Sequence, residues 1–200
     1  YPEFRAPQAD IIKSVLDGHD TLGLMPTGGG KSITFQVPTL AMDGIAPVIT
    51  PIVSPMKDQV DNLKERGIPA TFLNAGLTMV ERRKAIERCN NGRCKFLYVS
   101  PERLQNSNFL QLLKHIELSL IVVDEAHCIS QWGYDFRPDY LQIGRLREAV
   151  DAPVIALTAT ATPEVADDIM EKLRFREKNL LKSGFERPNL SYIVRKVEDK

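Results

Sequence analysis

Three consecutive glycines, followed by lysine and serine at residues 28–32, have the clearest potential for chemistry. An apolar run at residues 21–25 precedes them and predicts a strand, and an apolar pattern at helical spacing follows them. A glycine loop between a strand and a helix can direct successive backbone N–H groups, together with the helix N-terminus, at one anion. The segment therefore predicts a phosphate-binding loop.

In such a loop each residue has a distinct role toward a nucleotide. Lys31 reaches the β- and γ-phosphates of ATP, and the Ser32 hydroxyl binds Mg²⁺. The backbone that surrounds the phosphates comes from Thr27, Gly28, Gly29 and Gly30. The match to G-x-x-x-x-G-K-[ST] is incomplete, because Met25 stands where the pattern has glycine. A glycine-rich turn before an ordinary helix is the alternative interpretation.

Two adjacent acids, Asp124 and Glu125, follow an apolar run at residues 118–123 that predicts a buried strand. Beside a phosphate loop, such acids can serve hydrolysis of a phosphoanhydride. Asp124 would hold Mg²⁺ through water, and Glu125 would orient the attacking water and accept its proton. The alternative is an acid pair at a helix N-terminus, which the helix dipole favours.

The elements that must position these residues alternate along the chain. Apolar runs at residues 21–25, 48–50, 70–73, 96–99, 118–123 and 154–157 predict strands, and helical patterns separate them. Short, continuously apolar strands are typical of a parallel sheet that helices cover on both faces. Polar motifs follow these strands, at the edge where open α/β sheets bind ligands. The sequence therefore predicts an α/β fold with a mostly parallel sheet.

Composition limits the possible classes of protein. A chain of 200 residues with 43% apolar residues can bury a substantial core. Lys plus Arg and Asp plus Glu both number 26, so nucleic-acid binding would need a local patch. Basic residues 82–84 are interpreted as a solvated helix face. Cys89, Cys94 and Cys128 lack metal-site spacing and are expected to be reduced thiols. Neither a signal peptide nor a membrane span is predicted, so no membrane partner is expected.

The motifs resemble those of superfamily 2 helicases and, within them, the RecQ family of DNA helicases. Residues 124–127 form a DEAH box, and residues 25–32 are similar to motif I of that family, which also uses methionine at position 25. Residues 54–60 resemble motif Ia. Residues 157–161 resemble motif III and include Thr158 and Thr160. The resemblance implies a RecA-like P-loop NTPase domain.

Residues 4–8 resemble motif 0 of the RecQ family, which implies that Tyr1, Arg5 and Gln8 contact adenine. The segment is expected to open a helix that runs to Leu16, so that Arg5 and Gln8, three residues apart, share one face. A glutamine amide offers a donor and an acceptor, which suits the Hoogsteen edge of adenine. Taken alone, these residues fit a solvated helix face better.

Residues 126–138 resemble the aromatic-rich loop by which RecQ helicases sense single-stranded DNA and couple it to ATP hydrolysis. Trp132 and Phe136 offer aromatic faces for base stacking, and Arg137 offers a cation. The resemblance assigns DNA contact or coupling also to His127, Thr158 and Thr160. Alternatively, Trp132 could fill a gap in the core, although this polar segment suits a core poorly. Tyr134 stands where many bacterial members carry histidine.

The resemblance implies an ATP-dependent 3′-to-5′ DNA helicase of repair and recombination. ATP and Mg²⁺ would be its cofactors, and single-stranded DNA, or branched or duplex DNA with a single-stranded tail, its partner. Residues 1–190 would be the first motor domain, and residues 191–200 would begin the connection to a second motor domain in cis. The protein is expected in the cytoplasm at the bacterial nucleoid, or in the nucleus.

Without the arginine finger of a second domain, which is worth roughly 10³ to 10⁵ in rate, the chain alone should be nearly inactive. Two other functions stay open. One is a superfamily 2 RNA helicase or remodeller, and the other is a nucleotide-gated binding module without catalysis.

Overall fold

The computed structural model describes residues 3–5, 7–51 and 54–182, and within this part of the chain seven strands form one parallel sheet. The strands are β1 Thr21–Leu24, β2 Ala46–Ile49, β3 Ala70–Leu73, β4 Phe96–Val99, β5 Ile121–Val123, β6 Val154–Thr158 and β7 Leu180–Lys182. Their order is β3-β4-β2-β5-β6-β1-β7, and every pairing is parallel. The predicted α/β fold is confirmed.

Helices cover both faces of the sheet. They are α1 Gln8–Leu16, α2 Lys31–Ala41, α3 Ser54–Glu65, α4 Met79–Asn90, α5 Ser107–His115, α6 Gln142–Ala149 and α7 Pro163–Lys172. Helices α1 to α3 pack on one face and α4 to α7 on the other. Alternate residues of one strand therefore enter different cores: Val122 packs on the first face, while Ile121 and Val123 pack on the second. None of the helices described is long and apolar enough to cross a membrane.

The first helix begins later than predicted. It starts at Gln8, with Pro7 at the N-cap position, so Arg5 precedes the helix and the two side chains do not share a helical face. Proline lacks an N–H and its ring fixes φ, so it suits the start of a helix rather than an interior.

Strand β5 is shorter than the predicted run of residues 118–123, because the neighbouring strand contains a proline. The N–H groups of β2 alternate between its two neighbours: Ile45 donates to Glu117, and Ala46 donates to Lys95. Pro47 stands at the next position that would donate toward β5, and it has no N–H. The pairing register shifts by one residue between the bridge Ile45–Leu118 and the pair Val48–Val122.

Strand β7 was not predicted. Among the described residues it is an edge strand paired with β1 alone and at most half-buried, and its sequence lacks the apolar run of an interior strand. The predicted boundary at residue 190 and the connection at residues 191–200 lie outside the described residues.

A buried carboxylate fixes the start of β1 against β6. The Asp20 side chain accepts hydrogen bonds from the backbone N–H groups of Val154 and Arg176, both at 2.9 Å. It also lies 3.3 Å from the Arg147 guanidinium, and both side chains are nearly inaccessible. The carboxylate is therefore fully hydrogen-bonded, as a buried charge requires. This network therefore holds together the residues that precede β1 and the first residue of β6.

Candidate active site

The phosphate-binding loop leaves β1 through Met25, which belongs to the core. Met25 is 1% exposed, packs beneath α1 to α3, and donates its N–H to the Thr158 carbonyl at 3.0 Å. The residue that departs from the glycine pattern is thus part of the packing and lies outside the turn. Gly28 and Gly30 have φ values of +78° and +76°, in the left-handed region that favours glycine. Gly30 is the N-cap of α2, whose first turn carries Lys31 and Ser32.

A cavity of about 560 Å³ lies beside this loop, between α2, α3 and the segment that leads into α1. Its volume is typical of sites that bind small molecules. Apolar side chains from α2 and α3, including Ile33, Val37 and Leu63, line part of it. The lining also includes five predicted ATP-binding residues: Arg5, Gln8, Gly28, Gly30 and Ser32. Tyr1 lies outside the described residues, and Thr27 is exposed at the loop surface.

Gln8 connects the segment before α1 to the phosphate loop. It is only 6% exposed, so the alternative of a solvated face is wrong for this residue. Its Nε2 donates to the carbonyls of Gly29 at 3.1 Å and Gly30 at 3.3 Å, and its Oε1 accepts the Arg5 N–H at 2.8 Å. A Cβ atom on Gly30 would collide with this amide, so a larger residue there would displace the end of the Gln8 side chain from the loop carbonyls.

The DEAH box meets the phosphate loop through a lysine–glutamate contact. Lys31 Nζ lies 3.3 Å from Glu125 Oε1, and both side chains are largely buried. Glu125 has a φ of +47°, which is uncommon for a residue other than glycine and costs conformational energy. This backbone conformation turns the chain after β5 so that the Glu125 carboxylate faces Lys31. The two predicted catalytic side chains, Lys31 and Glu125, are therefore in contact.

Asp124 has the surroundings expected of a cation ligand. Burial, and then the adjacent Glu125 carboxylate, raise the pKa of Asp124 above its usual value. Its Oδ1 accepts the Glu125 N–H at 3.0 Å, and the Tyr140 hydroxyl donates to its backbone carbonyl at 2.9 Å. A divalent cation would favour the ionised form of this carboxyl group, and carboxylate and hydroxyl oxygens are the ligands that Mg²⁺ prefers. Asp124 and Ser32 therefore fit the Mg²⁺ role predicted for them.

His127 links the DEAH box to the segment after β6. Its Nδ1 lies 2.8 Å from Thr158 Oγ1 and 3.4 Å from Glu125 Oε2. The Thr158 hydroxyl can donate to the Thr160 carbonyl at 3.2 Å, and the Glu125 carboxylate beside Nδ1 can only accept, so we assign a proton to His127 Nδ1. Burial lowers the pKa of His127, which leaves the imidazole neutral at pH 7. The predicted coupling residues His127, Thr158 and Thr160 thus form one hydrogen-bonded chain that reaches Glu125.

The predicted DNA-contact residues differ in exposure. Trp132 is 77% exposed, so the alternative that it fills a gap in the core is wrong. Tyr134 is also 77% exposed. One face of its ring stacks on the His127 ring, with the ring centroids 4.7 Å apart. Phe136 is half-buried with Lys172 Nζ 6.0 Å from its ring centre. The Arg137 guanidinium donates to Asp135 at 3.0 Å and 3.3 Å. Of the predicted DNA contacts in this loop, only Trp132 therefore projects freely from it.

Two arginines at the same edge of the sheet were not predicted to have a role. Arg82 and Arg103 line a groove of about 410 Å³ after β3 and β4, which Glu102 also lines. Their Nη2 atoms donate to the carbonyls of Leu77 and Asn74, and within the described residues both buried Nε atoms lack a hydrogen-bond partner. Burial, and then the charge of Arg82, lower the pKa of Arg103. The position of Arg103 just after a predicted strand was the signal available in the sequence.

The glycine loop, the DEAH box and the parallel sheet define a P-loop helicase domain. The chain belongs to the DEAD/DEAH box helicase family, which matches residues 5–169. The ATP-dependent DNA helicase RecQ of Haemophilus influenzae is 44% identical over 195 residues, which cover 97% of this chain and 32% of that protein. The RecQ helicase of Bacillus subtilis is 47% identical over 203 residues, covering 100% of this chain and 34% of that protein. The resemblance to RecQ helicases is confirmed, and the chain spans about a third of the length of these relatives.

Solved helicase structures share the fold at lower sequence identity. The Pyrococcus furiosus Hef helicase domain superposes with a TM-score of 0.69 at 22% identity, covering 89% of this chain and 38% of that one. The DEAD-box helicase Mss116, bound to single-stranded RNA, superposes with a TM-score of 0.70 at 20% identity, covering 91% and 40%. These similarities confirm the RecA-like fold.

Proposed function

We propose that this chain is the first motor domain of an ATP-dependent DNA helicase of repair and recombination that moves 3′ to 5′. One observation carries the proposal: Lys31 of the glycine loop and Glu125 of the DEAH box meet at 3.3 Å. Phosphoryl transfer needs mainly positioning and charge neutralisation, and these two side chains supply a cation for the phosphates and a base for water. The direction of movement is inferred from the resemblance to RecQ helicases.

In the proposed mechanism the phosphates of ATP bind at the start of α2, against the backbone N–H groups of residues 27–30. Lys31 swings from Glu125 to the β- and γ-phosphates, which frees Glu125 to orient the attacking water and take its proton. Ser32 and Asp124 would hold Mg²⁺, and the bound ion would neutralise charge on the phosphate oxygens. Arg5, Gln8 and Tyr1 would bind the adenine. To do so, the Gln8 amide would give up a hydrogen bond to a carbonyl of the phosphate loop and form one to the base.

Single-stranded DNA, alone or as the tail of a branched or duplex substrate, is the proposed partner. Trp132 would stack on a base, and the Arg82–Arg103 groove would take a backbone phosphate, because an unpaired guanidinium N–H favours an anion. The chain has no net charge, so such local contacts must supply the attraction. A second motor domain in cis would contribute the arginine that completes the ATP site, and unwinding would require both domains. The protein would act at the bacterial nucleoid or in the nucleus.

The proposal is tested by measuring phosphate release from ATP by the full-length protein with single-stranded DNA and with RNA of the same sequence. The DNA helicase should be stimulated by the DNA and far less by the RNA. Equal or greater stimulation by RNA would instead indicate an RNA helicase or remodeller. Nucleotide binding without phosphate release under any condition would indicate a binding module.

Replacing Trp132 with alanine should preserve basal ATP hydrolysis and weaken stimulation by single-stranded DNA. Stacking of one base on an aromatic side chain contributes about 1–3 kcal/mol, so the DNA concentration for half-maximal stimulation should rise by roughly 5- to 150-fold. Titration of ATPase activity with an oligonucleotide measures this shift. Leu40→Ala is the control, because it removes another exposed apolar side chain, on α2. A Trp132→Ala protein with an unchanged DNA titration would exclude the stacking role.

A further inference from the structure

We propose that His127, Cys128 and Asp135 form a binding site for a thiophilic divalent cation of the zinc class, distinct from the site predicted for Mg²⁺. The three residues each offer one ligand atom, and these atoms all lie within 4.8 Å of one another. Sequence spacing did not indicate the site, because Asp135 is brought back to the adjacent pair by the turn of the intervening loop. Imidazole nitrogen, thiolate sulfur and carboxylate oxygen are all established ligands of zinc.

The two distances from Cys128 are close to those of tetrahedral coordination. Cys128 Sγ lies 3.7 Å from His127 Nε2 and 3.7 Å from Asp135 Oδ2. Bond lengths of about 2.3 Å to sulfur and about 2.1 Å to nitrogen or oxygen place these ligand atoms about 3.5 Å apart around a tetrahedral zinc ion. The two Cys128 separations therefore need shifts of a few tenths of an ångström. The His127 and Asp135 ligand atoms lie within 4.8 Å of each other, so they must approach by at most roughly 1.4 Å. Three protein ligands leave the fourth position for water.

The hydrogen bonds of His127 leave the required nitrogen available. Its Nδ1 donates toward Thr158 Oγ1, 2.8 Å away, and Glu125 Oε2 lies 3.4 Å from the same nitrogen. The lone pair of the neutral imidazole is then on Nε2, which is the atom that faces Cys128. Metal-bound histidines usually donate their other N–H to a carboxylate or another oxygen acceptor, which fixes the ring. In this protein, Thr158 and Glu125 already provide such acceptors for His127 Nδ1.

Charge also favours a divalent cation at this site. The Cys128 thiol donates to Asp135, and metal binding would release its proton to solvent, as thiolate ligation requires. One thiolate and one carboxylate then balance the two positive charges of the ion. Arg137 also contacts the Asp135 carboxylate, at 3.0 Å and 3.3 Å. Both of these contacts are to Oδ2, the oxygen that also faces Cys128 Sγ. Oδ1 takes part in neither, and a carboxylate has about four lone-pair sites, so a rotation of the group lets it accept the guanidinium and the metal together.

Occupancy of this site would hold the aromatic loop against the DEAH box. Cys128 and Asp135 lie on either side of Trp132 in the chain, and His127 is within 3.4 Å of Glu125. A metal that joins the three ligands would fix the loop and restrain the contact between His127 and Glu125. Zinc should therefore reduce stimulation of ATP hydrolysis by DNA. This consequence rests on the proposed function, whereas metal binding itself does not.

The test is a titration of the 200-residue chain with Zn²⁺ in competition with a chromophoric chelator, without ATP or DNA. We expect one tightly bound ion per chain. Cd²⁺ added in place of Zn²⁺ should produce the ultraviolet absorption band of a metal thiolate. Cys128→Ala should abolish the band. Asp135→Asn should weaken Zn²⁺ binding at least as much as the roughly 10- to 100-fold typical of losing an outer-shell partner. The matched controls are Cys89→Ala and Cys94→Ala, which remove the other two buried thiols.

The variants separate loss of a ligand from loss of the fold. Cys128 is fully buried, so its replacement could unfold the chain; the Asp135 side chain is 43% exposed, and its amide isostere should keep the fold. Circular dichroism melts verify this. Absence of stoichiometric binding, unchanged affinity in folded Asp135→Asn, or loss of the band in the Cys89 or Cys94 variants would overturn the proposal. Each result is independent of ATP hydrolysis, so failure here leaves the proposed function standing.

Discussion

Replacement of Glu125 with glutamine should slow ATP hydrolysis by about 10²- to 10⁴-fold and leave ATP affinity within a few fold of the unmodified protein. Glutamine keeps the length of the side chain and can still accept a hydrogen bond from Lys31, 3.3 Å away. It cannot take a proton from the attacking water. The left-handed backbone conformation at this position is equally uncommon for both residue types, so the substitution adds no new strain. Single-turnover phosphate release and equilibrium binding of a labelled nucleotide measure the two effects separately.

The control for this experiment is Glu87→Gln, which changes an exposed glutamate on α4. It should leave both hydrolysis and nucleotide binding unchanged. If Glu125→Gln instead lost ATP affinity and kept most of its turnover, Glu125 would be a structural partner of Lys31, and the base would have to be sought elsewhere. The contact between His127 and Glu125 gives a second readout, because stimulation by DNA should also be lost in this variant.

The fold and the two principal motifs could be predicted because their signals are local. A strand, a glycine loop and a helix are contiguous in residues 21–41, and the acids Asp124 and Glu125 directly follow their strand. Parallel strands place their carboxyl ends at one edge, so these motifs had to meet. Only the resemblance accounted for a methionine at residue 25 in place of glycine. The packing that explains it involves helices from other parts of the chain.

Contacts between distant segments account for what sequence reasoning missed. The Gln8 amide binds carbonyls 21 and 22 residues away, and nothing in its helical pattern indicates that partner. Arg82 and Arg103 come from different elements and meet only because β3 and β4 are adjacent. The start of the first helix lies later than predicted for a local reason, the N-cap position of Pro7. Strand β5 is shorter than predicted for a reason that lies in the tertiary structure. Pro47, in the neighbouring strand, has no N–H to donate to it.

Replacement of Lys31 with alanine should reduce both ATP affinity and turnover. Deleting one group that stabilises charge developing in a transition state typically costs about 10²- to 10³-fold in turnover, and Lys31 also binds the ground-state phosphates. The variant also leaves Glu125 next to Asp124 without the nearby ammonium, which further favours protonation of the Asp124 carboxyl group and weakens the Mg²⁺ site. Steady-state kinetics over a range of ATP and Mg²⁺ concentrations measures all three effects.

Lys13→Ala is the matched control, because Lys13 is an exposed lysine on α1 that forms an ion pair with Asp17. It should change neither the ATP affinity nor the turnover. The double variant Lys31→Ala with Glu125→Gln gives the sharper test. Residues that act on the same reacting phosphate are strongly non-additive, so the double variant should hydrolyse ATP about as slowly as the slower single variant. Fully multiplicative losses would mean that the two side chains act independently, and their 3.3 Å contact would then have no part in hydrolysis.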